Sequence, residues 1–118
     1  MSLPMQSLET RSVLVAPSWT KPVYHLFVVR VEDRDEFMKH LTSADIGSGI
    51  HYPIPLHLQK AYKYLGYSKG DFPIAEKVAV EITSLPMSPQ LRGEDQQRIA
   101  EAILHFANSA SPTAAAIA

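Results

Sequence analysis

Apolar residues crowd together from Tyr24 to Val31, where Tyr-His-Leu-Phe-Val-Val-Arg-Val reads as a strand covered on both faces. The period then changes. Phe37, Met38 and Leu41 share one side of a helical wheel, and Asp33 with Glu36 three residues on can satisfy free amides at a helix start. A helix is therefore predicted near 33–43. Gly47, Ser48 and Gly49 lead into Ile50, His51 and Tyr52, while Pro53 and Pro55 forbid a helix there, so a short strand ending in a rigid loop is expected. Leu58, Ala61, Tyr62 and Leu65 recur at helical spacing, with Gly66 placed to close that helix in a left-handed cap. The next helix should be capped by Asp71, stack Ile74, Val78 and Ile82 one turn apart, and stop at Pro86. The last should run near 94–107 with Ile99, Ala102, Ile103 and Phe106 as its buried stripe.

Flanking this pattern are two less regular stretches. Residues 1–21 hold two prolines and several Ser and Thr around one short apolar run, Val13-Leu14-Val15, and are expected to be a mostly irregular lead-in whose Met1-Ser2-Leu3 fits an added start. Residues 22–108 form the expected domain. The Ala- and Ser-rich residues 109–118 have little to bury and are expected to be disordered. The order strand, helix, strand, helix, helix, helix implies an α+β fold, a small antiparallel or mixed sheet packed against three to four helices.

Composition narrows the function. In 118 residues, 46% hydrophobic and 19% charged, there is room for one domain with a packed core. A formal charge of −1 without like-charge runs argues against nucleic acid as a partner, and no segment approaches the roughly 18–20 apolar residues that span a bilayer. The chain contains no cysteine, which removes disulfides and thiolate chemistry and suits the cytoplasm.

Candidate chemistry is sparse. His25, His40, His51, His57 and His105 are scattered, and no metal-ligand spacing joins them, so no metal is expected. Gly47-Ser48-Gly49 lacks the Gly-Lys-Ser/Thr of a phosphate loop and the third glycine of a dinucleotide fingerprint. Tyr62, Tyr64, Tyr67 and Phe72 suggest a stacking platform but fit helix-edge packing better, and Lys60, Lys63 and Lys69 fit a solvated face. What stands out is Gly49-Ile50-His51-Tyr52-Pro53-Ile54-Pro55-Leu56-His57.

That segment and its neighbours resemble the C-terminal region of the DegT/DnrJ/StrS family of sugar aminotransferases. The matching elements are Tyr24 to Val29, Asp33 to Asp35, Ser48 to Gln59, Ala61-Tyr62, Leu65-Gly66-Tyr67, Gly70 to Glu76 and Ser84 to Met87. Three positions depart from the pattern: Asp45 replaces glycine, Ser48 replaces threonine, and Arg92-Gly93 replaces a Thr-Glu helix entry. Asp tolerates a left-handed turn and Gly is an acceptable cap, so the fold survives these changes.

The resemblance implies the small domain of a fold-type I aminotransferase that depends on pyridoxal phosphate. In such enzymes a large domain holds the cofactor lysine, and no lysine here resembles it. No catalytic or cofactor-binding residue is therefore expected on this chain alone. His51, Tyr52 and His57 are the implied substrate-binding residues, and the implied substrate is a nucleotide-linked sugar in an amino-sugar biosynthetic reaction. A large cofactor-binding domain or second subunit is the implied partner, with self-association when it is lacking. The competing reading is a free-standing sugar-nucleotide-binding or protein-interaction module with the same fold.

Overall fold

A computed structural model describes residues 11–13 and 16–109. Three antiparallel strands form one sheet in the order β1-β2-β3, with β1 at Arg11–Val13, β2 at Phe27–Val31 and β3 at Ile82–Leu85. Helices α1 (Arg34–Ser43), α2 (Pro73–Glu81) and α3 (Gly93–Ser109) complete the α+β architecture. None of the described helices is long and apolar enough to cross a membrane.

The core lies between the sheet, α1 and α3. Phe37 and Leu41 of α1 are essentially solvent-free and meet Val31, Ile46, Leu85 and Ile99, with Phe27, Val29, Ala102, Ile103 and Phe106 packed around them. The Phe37 and Phe106 rings meet edge-on at 5.2 Å, a geometry that aligns ring edges with the partner's π face. The expected stripe of the last helix is thus the stripe that packs. Asp45, where the resembling family carries glycine, sits at φ 57°, and Arg98 donates to the Ala44 and Asp45 carbonyls that follow α1. Arg30 of β2 bridges to Glu81 at 2.6 Å, tying the central strand to the end of α2.

Several expectations need correction. The sheet begins inside the stretch read as lead-in, because Arg11–Val13 pairs with Val29–Val31. The strand expected from Tyr24 starts at Phe27, after Tyr24 turns the chain at φ 42°, and of its residues only Val31 is buried. The short strand at 50–52 is reduced to one bridge between Gly49 and Ser84. The helix expected from Leu58 is two 3-10 helices, Leu56–Leu58 and Lys60–Leu65, and Gly66 does close the second at φ 77°. The largest difference is at Ile82, where the chain stops being helical and becomes β3. Pairing Ile82–Leu85 with Phe27–Arg30 buries Thr83, Ser84 and Leu85, so sheet completion overrides the helical spacing of Ile74, Val78 and Ile82. Residues 110–118 of the expected tail lie outside the described residues.

The expected caps are also differently made. Neither Asp33 nor Asp71 caps a helix through its side chain: Glu36 turns to Lys39, and Asp71 Oδ2 accepts from the Ser68 amide at 2.7 Å.

Candidate functional site

Between α1 and α2 the chain crosses the end of the sheet and then runs over the surface. The crossing is anchored at Gly49, whose N–H donates to the Ser84 carbonyl at 3.1 Å and whose carbonyl accepts the Ser84 N–H at 2.7 Å. Thr83, fully buried, adds its hydroxyl to the same Gly49 carbonyl at 3.2 Å. β3 therefore fixes where the His-Tyr-Pro corner begins.

His51 and Tyr52 are brought together at that corner, with ring centroids 5.6 Å apart and nearly perpendicular, across a cis peptide. His51 Nδ1 lies 2.9 Å from the Ser84 hydroxyl. An added Cβ at Gly49 would come within 3.0 Å of His51 Cε1, so the absence of a side chain at 49 leaves room for the imidazole. Tyr52 is 71% exposed and projects its phenol to solvent. Both side chains thus offer hydrogen-bonding atoms at the surface from a fixed backbone.

His57 is placed differently. Its Nε2 donates to Glu76 Oε1 at 2.8 Å, its side chain is almost wholly covered, and its ring packs on Phe72 at 4.8 Å. Glu76 also accepts the Gly70 amide with both carboxylate oxygens, at 2.8 and 3.0 Å. The His57 hydrogen bond and then the Gly70 amide hold the Glu76 carboxyl below its ordinary pKa of 4.5. One carboxylate therefore pins two distant points of the surface segment to α2. Composition and periodicity give no sign of Glu76; the signal lay in the Gly70 to Glu76 element of the family pattern, which contains both ends of the contact.

The rest of the segment leaves much apolar surface uncovered. Ile54, Leu56, Tyr64, Leu65, Tyr67 and Ile74 are all exposed, Tyr64 and Ile74 by about four-fifths. Tyr62, Tyr64 and Tyr67 do not gather into one platform: Tyr67 meets Phe72 at 5.0 Å, whereas Tyr64 stands out alone toward solvent. Among the described residues no three His, Asp or Glu side chains converge as metal ligands.

Comparison with known proteins identifies the family of the chain. Residues 1–104 match the DegT/DnrJ/EryC1/StrS aminotransferase family. The erythromycin biosynthesis sensory transduction protein EryC1 of Saccharopolyspora erythraea is 49% identical over 76 residues, 64% of this chain and 21% of that protein. The dTDP-3-amino-3,6-dideoxy-alpha-D-galactopyranose transaminase of Aneurinibacillus thermoaerophilus is 46% identical over 84 residues, 71% of this chain and 23% of that protein. Among solved structures, S. venezuelae DesV in complex with a ketimine intermediate superposes with a TM-score of 0.79 at 36% identity, covering 86% of this chain and 28% of DesV. The chain thus spans about a fifth to a quarter of the length of the curated relatives it matches. With a family match across most of its length and the fold to accompany it, the chain belongs to the DegT/DnrJ/EryC1/StrS aminotransferase family.

Proposed function

We propose that this chain forms one wall of the substrate cleft of a cytoplasmic, pyridoxal-phosphate-dependent aminotransferase acting on a nucleotide-linked keto sugar. The observation that carries the reading is the His51–Tyr52 corner, two hydrogen-bonding side chains exposed on a backbone locked to β3. The substrate class is supported by relatives named as transaminases of dTDP- and UDP-linked sugars. In the complete reaction an amino group passes from glutamate or glutamine to the sugar's keto carbon, with the bound cofactor supplying the carrier chemistry. This chain's part is to orient: His51 and Tyr52 meet oxygens of the sugar nucleotide while Pro53 and Pro55 restrict the backbone between them and His57. His57 joins this set by sequence, but with Nε2 committed to Glu76 its part is to hold the loop in place.

The cofactor belongs elsewhere in this reading. Pyridoxal phosphate requires a lysine that can lose its proton, a carboxylate for the ring nitrogen and a phosphate cradle around one enclosed space. An open groove of about 550 Å³ places Lys39 near Asp35, Thr42 and Ser43. Glu36, hydrogen-bonded to Lys39 Nζ at 2.6 Å, raises the pKa of that lysine and keeps it an ammonium. Those residues do not fit the cofactor. The exposed apolar segment 54–74 supports a covering partner, the cofactor-bearing remainder of such an enzyme, and isolated copies should self-associate through it.

Addition of pyridoxal phosphate to the purified chain, borohydride reduction and mass spectrometry test the division of labour. The expected result is scattered, substoichiometric labelling; stoichiometric labelling of one lysine would show that this chain builds a cofactor site and would end the proposal.

A further inference from the structure

We infer that Ser84 sets His51 as the imidazole tautomer protonated on Nε2, making His51 a hydrogen-bond donor that takes an oxygen acceptor of the ligand. The ligand half of this inference rests on the proposed role of His51; the tautomer half stands on local geometry alone.

Ser84 is 5% exposed, and both its backbone polar groups are used by Gly49. Only its hydroxyl remains to be satisfied. Among the described residues that hydroxyl meets one polar atom, His51 Nδ1 at 2.9 Å. A hydroxyl has a single proton to donate, and a buried O–H that merely accepted from Nδ1–H would have nowhere to place it. Donation from Ser84 to Nδ1 resolves this. A neutral imidazole that accepts on Nδ1 carries its proton on Nε2, and the choice at one nitrogen fixes the character of the other.

The ring is held as well as polarised. Ser84 grips one edge, Gly49 leaves clearance for Cε1, and Tyr52 packs edge-on 5.6 Å away. Nε2 has no protein partner among the described residues, and His51 is an exposed residue. What this corner offers is therefore an Nε2–H donor at a fixed place, complementary to a hydroxyl, keto or phosphoryl oxygen and not to a ligand N–H or ammonium group. Ser84 is a positioning residue that acts through His51.

Long-range 1H–15N correlation spectra of the imidazoles in the full 118-residue chain, at neutral to mildly alkaline pH, test this directly. The expected spectrum shows His51 with an unprotonated Nδ1 and a protonated Nε2. Ser84→Ala should keep the amide dispersion of the folded chain while the two His51 nitrogen shifts move toward each other as the second tautomer is populated. A protonated Nδ1 in the unsubstituted chain, or unchanged His51 shifts in a folded Ser84→Ala variant, would overturn the role of Ser84. Adding dTDP or dTDP-glucose then identifies the acceptor. A downfield shift of the Nε2 proton with dTDP alone assigns an oxygen of the nucleoside diphosphate, and one seen only with dTDP-glucose assigns an oxygen of the hexose. No shift with either would overturn the ligand half, while the functional reading is judged separately by the pyridoxal phosphate labelling and the tautomer by the ligand-free spectrum.

Discussion

The two halves of this molecule are held together by different forces. Around β2, α1 and α3, Val31, Phe37, Leu41, Ile46, Leu85 and Ile99 exclude water from one another, so burial itself supplies the stability. From His51 to Phe72 no residue is fully buried, and the backbone is placed by polar pins: Ser84 on His51, Glu76 on His57 and Gly70, and Asp71 on Ser68. The first half buries its large side chains against one another. The second spends large aromatic and aliphatic side chains on solvent, which a self-sufficient domain rarely does over one continuous stretch. Stability is thus concentrated in the sheet half, and the surface half, which carries the side chains proposed to face the ligand, is joined to it by the Gly49–Ser84 bridge.

The sharpest break of this contrast is a cavity in the scaffold. Leu41→Ala should cost about 2–5 kcal/mol in urea unfolding, because Leu41 is completely covered and its truncation opens a cavity in the core. Removing the tie between β2 and α2 comes next. Arg30→Met should cost about 1–3 kcal/mol in the same assay, since it leaves the Glu81 carboxylate covered and short of its main partner.

Effects on the surface half should be local. Glu76→Gln is expected to leave the unfolding midpoint nearly unchanged while the Gly70 amide loses hydrogen-exchange protection and proteases gain access between His57 and Phe72. Acid should act the same way. Because the folded-state pKa of Glu76 is depressed, its contribution is present above the ordinary value of 4.5 and is lost as the pH falls through the lower folded value. Loosening of this segment in acid should therefore be absent from Glu76→Gln, which amide exchange at a series of pH values would read. The smallest stability effect belongs to Ile74→Ser, expected within about 0.5 kcal/mol of the parent because Ile74 is already exposed, with reduced self-association by light scattering.

How far the chain could be read in advance follows the same division. Helices α1 and α3 were legible because their apolar residues sit at helical spacing and that spacing is what packs, and Asp45 was legible as a left-handed turn. β3 was hidden, since Ile74, Val78 and Ile82 imitate a helical stripe and only pairing with distant β2 makes a strand of Ile82–Leu85. The β-branched pair Ile82-Thr83 before Pro86 was the local hint. At the site, His51, Tyr52 and His57 stood out through the family pattern, and Ser84 and Glu76 lay inside matched elements, but which residues those two hold was not readable from the pattern. Ser84 and Glu76 act across long loops, and no periodicity within either element encodes a partner that far along the chain.

Mapping the 15N-labelled chain with dTDP-glucose tests most directly whether the surface half is the working face. The account predicts amide and side-chain shifts concentrated from Gly49 to His57, with α1, α3 and the β1–β2 pairing unchanged and the response lost in a folded His51→Ala, Tyr52→Phe double variant. Shifts centred on the α1–α3 side, or a titration that leaves His51 and Tyr52 unmoved, would contradict it.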